Sequence, residues 1–178
     1  MKLVILDRDG VINFDSPYFI KSPAEWKPIP NSPEAIARLT QAGYRVVVAS
    51  NQSGIDRGLF DMDTLNAIHD KMHRAVQAAG GRIDAIFYCP HSAESNCNCR
   101  KPKPGMFERI ASCFNVDLGN AWAVGDSLRD LQAAAAAGAK PMLVLSGKGQ
   151  ATHSEGGLPE GTLVFDDLAA VVEHILKP

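Results

Sequence analysis

The chain has 178 residues, enough for one generous domain whose core needs no disulfide staples. Its 18 Lys and Arg against 20 Asp and Glu leave a formal charge of −2, which argues against a basic face built for nucleic acid or an anionic membrane. No apolar run reaches the roughly 18 residues of a membrane span, and the Met1–Leu6 start is too short for a signal-peptide core, so a soluble, cytoplasmic chain is expected.

Lys2 to Leu6, "KLVIL", is a short continuous apolar run of the kind buried on both faces of a parallel sheet, and it stops abruptly at Asp7. Asn31-Ser32-Pro33 reads as a helix start, Ile36 and Leu39 continue its apolar face, and Gly43 ends it. "RVVVA", Arg45 to Ala49, is a second strand running into Ser50. From Asp63, the residues Leu65, Ile68, Met72, Val76 and Ala79 keep a helical period up to Gly80-Gly81. Ala85 to Tyr88 is a third strand. Pro104 heads another helix, "AWAVG" from Ala121 is a fourth strand, and Ala133 to Ala137 belongs to a slim helix able to lie close to a sheet. Pro141–Leu145 and Leu163–Phe165 read as two more strands, and Leu168–Leu176 as a closing helix. The Gly/Ser-rich stretch Ser146–Gly161 reads as a surface loop. Strands alternating with helices predict a doubly wound α/β domain over residues 1–178 with a mostly parallel sheet. Ligands bind such sheets beyond the carboxyl ends of the strands, and Asp7, Ser50, Cys89 and Asp126 all fall there.

"DRDGVIN", Asp7 to Asn13, sets two carboxylates two residues apart just past a buried strand. Alone it reads as well as an acidic turn as a functional site. An EF-hand loop fits poorly, since its glycine belongs at position six after a helix. "GDSLRD", Gly125 to Asp130, repeats the arrangement after another apolar strand. Acids at two buried strand ends call for a cation, and oxygen donors suit a hard divalent ion such as Mg2+.

With these motifs the chain resembles the haloacid-dehalogenase superfamily of phosphotransferases. Asp7 and Asp9 match its Asp-x-Asp-Gly motif, Ser50 its hydroxyl residue after the second strand, and Lys101 in "KPKPG" its lysine. Gly125, Asp126 and Asp130 match its last acidic motif. The resemblance implies that Asp7 attacks phosphorus to form an aspartyl-phosphate, and that Asp9 acts as general acid and then general base. It further implies Mg2+ on the Asp7 carboxylate, the Asp9 carbonyl and Asp126. Ser50 and Lys101 would hold the phosphoryl group, with Asp130 behind them bonding a metal water or Lys101. Val11 departs from the common Thr at its position, which removes a supporting hydrogen bond rather than the nucleophile.

Cys89-x-His91 and Cys97-x-Cys99 supply four soft ligands from one short loop, which suits a structural tetrahedral Zn2+. In a reducing compartment a metal site is the better reading than a disulfide, the bland alternative being partly buried thiols beside a surface histidine. The "C-x-H … C-x-C-R-K-P" loop narrows the resemblance to small phosphatases acting on heptose 1,7-bisphosphate, and to related histidinol-phosphate phosphatases. "NQSGIDRGLF" and "CRKPKPGM" favour the former, removing the 7-phosphate on the route to nucleotide-activated heptose. That family implies no cap domain, a zinc-stapled loop over residues 89–99 doing a cap's work, and substrate contacts from Asp15, Tyr18, Asn51, Gln52 and Ser53. A second phosphate asks for further cations, of which Arg100 is the best placed, with Arg57 and Lys103 as helpers. The partner expected is a small sugar phosphate, with neither nucleic acid nor membrane, acted on by a monomer. A non-catalytic zinc-stabilised interaction module is the rival of a different class. His69 and His73 read as a solvated helix flank, "SGKG" (Ser146–Gly149) as a turn, and Cys113 as core.

Overall fold

The apolar runs become strands because both of their faces are covered. The computed structural model describes residues 1–178, with β1 (Leu3–Leu6), β2 (Arg45–Asn51), β3 (Ala85–Cys89), β4 (Trp122–Gly125), β5 (Lys140–Val144) and β6 (Leu163–Phe165) in one sheet. All pairings are parallel and the order is β3-β2-β1-β4-β5-β6. Six helices connect or follow them: α1 (Ser32–Gln41), α2 (Met62–Ala78), α3 (Gly105–Phe114), α4 (Leu128–Ala136), α5 (Gly149–Glu155) and α6 (Leu168–Ile175).

On one face, Val4, Leu6, Val46, Val48, Val124 and Val144 pack against α1, α2 and α6 through Ile36, Leu39, Ile68, Met72, Leu168 and Val172. On the other, Leu3, Ile5, Val47, Ala49 and Ala123 meet Phe107 and Ile110 of α3 and Ala133 and Ala134 of α4. Each buried Leu, Ile or Val side chain contributes about 1.5–3 kcal/mol, so alternate residues of every central strand anchor a helix on opposite sides. Val11 joins the first of these cores.

From β1 the chain winds to β2 and β3 on one side, then returns to β4 and continues to β5 and β6 on the other. The direction reverses between β1 and β4, and the crevice beyond their carboxyl ends is where such sheets bind ligands. Asp7 and Asp126 are the residues that immediately follow those two strands. The long connection from β1 to α1 is fastened by buried Ile12, Ile20 and Trp26, and Lys71 of α2 donates to the carbonyls of Pro23 and Trp26 at 2.6 and 2.8 Å.

Two expectations fail here. Ser146–Gly161 is not merely a surface loop, because it contains α5 and packs on the rim beyond the carboxyl ends of β1 and β4. A β-carbon on Gly149 would collide with the Val144 carbonyl, so this glycine serves close approach rather than looseness. Cys113 is exposed rather than core, since α3 turns its Phe107 and Ile110 face inward and leaves the cysteine outside.

Candidate active site

Gly10 makes the rim possible. It holds φ +83, and a β-carbon there would strike the Asp126 carboxylate, as would one on Gly147. The two glycine backbones lie against each other and leave room for Asp126 Oδ2 beside them. The 146–161 segment fastens this corner: Ser146 Oγ donates to the Gly10 carbonyl at 2.7 Å, the Lys148 amide to Asp126 Oδ2 at 2.9 Å, and Thr152 Oγ1 to the Asp126 carbonyl at 2.8 Å.

The carboxylate oxygens of Asp7, Asp126 and Asp130 lie within 4.8 Å of one another. Burial first, then repulsion from Asp130, pushes the Asp7 carboxyl up to about 7 although Lys101 opposes this. Burial, then Asp7 and Asp130, pushes Asp126 up to about 8. Crowded acids held this way are a demand for positive charge, and an all-oxygen donor set answers to a hard cation. Part of the demand is met by Lys101, which is 2 % exposed and places Nζ 2.7 Å from Asp130 Oδ1, 3.1 Å from Asp7 Oδ1 and 2.8 Å from the Ala49 carbonyl. Burial works against the ammonium, yet Asp130 and Asp7 outweigh it and raise its pKa. Asp130 is held low, Lys101 overcoming the effect of burial. It also accepts from the amide and hydroxyl of Ser127, so it steadies α4 and the lysine together.

Asp9 sits apart from that trio. Its carboxylate accepts from Arg8 Nε and Nη2 (2.9 and 3.1 Å), Asn13 Nδ2 (2.9 Å) and Gln52 Nε2 (3.1 Å). Burial opposes the charge, but the Arg8 guanidinium and these donors hold the pKa below the ordinary carboxylate range.

A cavity of about 250 Å3 opens over the rim, lined by Asp7, Asp9, Asp126 and Asp130 with Asp15, Asn51, Gln52, Ser53, Arg57, Arg100 and Lys101, as the sequence predicts. Arg129 and Lys148 line it too; Arg129 sits within "GDSLRD" and Lys148 within "SGKG", but neither reads there as a site residue, and the packing of α4 against β4 and β5 and of α5 against β5 brings them in. Several expected residues take other places. Ser50 is 1 % exposed beneath the floor, its Oγ accepting from Gln52 Nε2 at 2.8 Å. Asn51 spends its amide on the backbone of Lys101, with both bonds at 3.1 Å, and so aims the lysine. Tyr18 is 76 % exposed and lines the outer surface rather than the cavity, to which Ser16, Pro17 and Phe19 contribute instead. Lys103 is turned to the cysteine loop, donating to Asn96 Oδ1 and the Cys97 carbonyl at 3.1 and 2.8 Å. His69 is buried, not solvated, because α2 turns it inward onto Arg8.

The loop after β3 gathers Cys89, Cys97 and Cys99, with Cys89 Sγ 3.6 Å from Cys97 Sγ and 3.1 Å from Cys99 Sγ. None is in a disulfide. Burial and the Cys99 contact push the Cys89 thiol up to about 12, whereas at Cys97 the Arg100 amide and neighbouring thiols outweigh burial and bring it down to about 6. The His91 imidazole stands outside this sulfur cluster. Its carbonyl accepts from Arg100 Nη1 at 3.2 Å, so the loop that gathers the thiols also aims Arg100 at the cavity.

A parallel sheet carrying aspartates, a buried lysine and a polar cavity at its switch point defines a phosphotransferase of the haloacid-dehalogenase type, and residues 98–171 match the HAD-hydrolase-like family model. A D-glycero-β-D-manno-heptose-1,7-bisphosphate 7-phosphatase of Bordetella bronchiseptica is 63% identical over 99% of both chains. A crystal structure of the D,D-heptose 1,7-bisphosphate phosphatase from B. bronchiseptica, complexed with magnesium and phosphate, superposes with a TM-score of 0.98 at 63% identity, covering 99% of this chain and 98% of that one. The D,D-heptose 1,7-bisphosphate phosphatase from Burkholderia thailandensis, 56% identical over all of both chains, gives 0.81. The chain belongs to the heptose 1,7-bisphosphate 7-phosphatase family.

Proposed function

We propose that the chain hydrolyses the 7-phosphate of D-glycero-β-D-manno-heptose 1,7-bisphosphate, with Asp7 as nucleophile, Asp9 as general acid and base, and Mg2+ as catalytic metal. The observation that carries the reading is the placement of Asp7, which touches the buried Lys101 ammonium and lies against Asp126 and Asp130 at the floor of the cavity. The β anomer follows the name of the 63%-identical Bordetella relative.

Asp7 attacks phosphorus in line with the leaving oxygen of C7; as the P–O bond to C7 breaks, the negative charge passes to that leaving oxygen, which takes the proton of Asp9. Lys101 stays beside both partners, while Ser50 beneath the floor supports the phosphoryl side through Gln52. A phosphate dianion beside Asp9 raises that carboxyl's affinity for a proton by like-charge repulsion, so it can protonate the departing alkoxide. Once the sugar leaves, Asp9 is again a carboxylate gripped by Arg8, Asn13 and Gln52, set to take a proton from the water that opens the aspartyl-phosphate. The Asp7 and Asp126 carboxylates with the Asp9 carbonyl would hold Mg2+, and magnesium in the Bordetella structure supports this. When bound, the ion neutralises charge on the phosphoryl oxygens. Arg57 and Arg100 take the non-transferred phosphate and sugar hydroxyls, with Asp15, Asn51 and Ser53 completing the wall.

The thiols of Cys89, Cys97 and Cys99, with His91 two residues from the first, would hold a structural Zn2+. All six strands join one sheet, which supports a capless single-domain enzyme, and the residues invoked all come from a single chain, as a monomer would require. No helix is long and apolar enough to cross a membrane, in keeping with work on a soluble sugar phosphate in the cytoplasm.

The test is phosphate release from heptose 1,7-bisphosphate and histidinol phosphate side by side with Mg2+. The bisphosphate should win in kcat/KM by roughly 100-fold or more, because cations lining the cavity repel the ammonium of histidinol phosphate. Equal or better turnover of histidinol phosphate overturns the substrate, and no release from either overturns the enzyme in favour of a binding module.

A further inference from the structure

Arg8 stands between the two aspartates of the first motif, yet its side chain turns into the protein and is 0 % exposed. Two of its nitrogens grip Asp9, through Nε to Oδ1 and Nη2 to Oδ2. The third, Nη1, lies 3.2 Å from Nε2 of His69. A guanidinium only donates, so Nε2 must be the acceptor and the imidazole is neutral with its proton on Nδ1. Burial first, and then the Arg8 charge, holds the His69 pKa down to about 3, in keeping with that tautomer.

His69 belongs to α2, which contributes nothing to the cavity lining. Its inner face is otherwise apolar, with Leu65, Ile68, Met72 and Val76 all buried. A histidine in that stripe places one acceptor against the one nitrogen of Arg8 that Asp9 leaves over. Arg8 and Asp9 are chain neighbours, so a pair formed by them alone is free to swing together about its side-chain torsions. A third contact from an element 61 residues away removes that freedom. Asn13 and Gln52 then fix the carboxylate from its other sides, and Asp9 keeps only its cavity-facing edge open.

We propose that His69 is a positioning residue for phosphoryl transfer: acting through Arg8, it fixes the carboxylate of Asp9 in the orientation from which it protonates the leaving alkoxide. The proposal rests on the acid-base reading of Asp9. General acid help matters most when the leaving group is basic and little when it is a nitrophenolate. A side chain that merely fills space lowers the amount of active enzyme and so lowers both reactions in the same proportion.

The experiment compares kcat/KM, which reports steps up to transfer onto Asp7, for heptose 1,7-bisphosphate and p-nitrophenyl phosphate with Mg2+ in His69→Leu, His69→Gln and Asp9→Asn, with thermal unfolding of each. His69→Leu removes the acceptor and should lower the sugar reaction roughly 10- to 100-fold, the scale of a misplaced group, and the aryl reaction by less than about threefold. His69→Gln offers a carbonyl oxygen in place of Nε2 and should recover most of the loss. If His69→Leu does not fold, His69→Asn, polar but too short to reach Arg8, takes its place with the same expected pattern. Equal loss on both substrates, or an undiminished sugar reaction in a folded variant lacking the acceptor, overturns the proposal. Should Asp9→Asn show the leaving-group dependence while His69→Leu does not, only the positioning role falls. Should Asp9→Asn lack it too, the acid-base reading falls with it.

Discussion

The acidic rim and the thiol loop both hang from carboxyl ends of strands in the same sheet, but they are secured by different means. Asp7 and Asp126 follow adjacent strands, and glycines, α4 and α5 close around them, so the oxygens are brought together by the fold itself. Cys89 ends β3, the last strand at its end of the sheet, and Cys97 and Cys99 follow on a loop whose regular structure is a single turn at Ala93–Ser95. Sulfur-to-sulfur contacts, the side chains of Arg100 and Lys103, and bonds from the Ser92 amide to Asp56 and from the Asp56 amide to the Pro90 carbonyl draw that loop in. The rim is therefore a site built before any ion arrives, whereas the loop is a site whose ion would complete its folding. Their donors differ accordingly, oxygen suiting a hard cation and sulfur a soft one.

The sharpest way to separate the two is at the nucleophile. Asp7→Asn keeps the volume but removes the attacking charge, and phosphate release should fall on the order of 10^4-fold or more while circular dichroism stays native. Near-normal turnover would end the covalent reading. The loop should respond more gently: metal analysis should find one zinc per wild-type chain and none in Cys97→Ser, whose activity should drop about 10- to 100-fold with a lower melting temperature. A wild-type protein without zinc, or with a disulfide among these cysteines, would break the contrast.

Protons should distinguish the rim next. Asp126 at about 8 and Asp7 at about 7 are both raised above their unfolded values, so in metal-free protein the folded state holds the extra protons. The stability they give is present at low pH and lost as pH rises through 7 to 8, where the ion-free carboxylates repel. Mg2+ competes with those protons, so its apparent affinity should rise by about tenfold or more from pH 6 to pH 8, and Asp126→Asn should flatten that dependence. A pH-independent Mg2+ titration would show that the acids are not the ligands. The smallest effect is expected at Thr152→Val, which removes the hydroxyl bonded to the Asp126 carbonyl: about 1 kcal/mol in denaturant unfolding, with zinc content untouched.

Asp7 and Asp126 were legible because each follows a buried apolar run, and such a run read from sequence already says which residue emerges at the strand's end; Asp9, Asp130 and Lys101 were legible from the family motifs. The cysteines were legible from spacing alone. What stayed hidden were residues defined by a partner far along the chain. Asn51 reads as a substrate contact beside Gln52 and Ser53, but its amide is consumed by Lys101, 50 residues away. Ser146–Gly161 reads as loose because Gly and Ser are frequent, whereas Gly147 and Gly149 are there to let backbones touch. Tyr18 reads as a substrate contact and faces solvent, since the loop carrying it turns Phe19 to the cavity instead.

By itself, then, the sequence determined the parallel α/β architecture, the aspartates at the strand ends, and the thiol cluster. These follow from local pattern: buried runs of four or five residues, the residue types at their ends, and ligand spacing within one loop. Only the tertiary structure decided which side chains would serve those groups. Arg8 turned inward to His69, Lys101 shared between Asp7 and Asp130, and Arg129 and Lys148 at the cavity wall all depend on where helices from distant parts of the chain come to rest. The physical reason is that an orientation is set by packing among elements, and no periodicity along the chain encodes it.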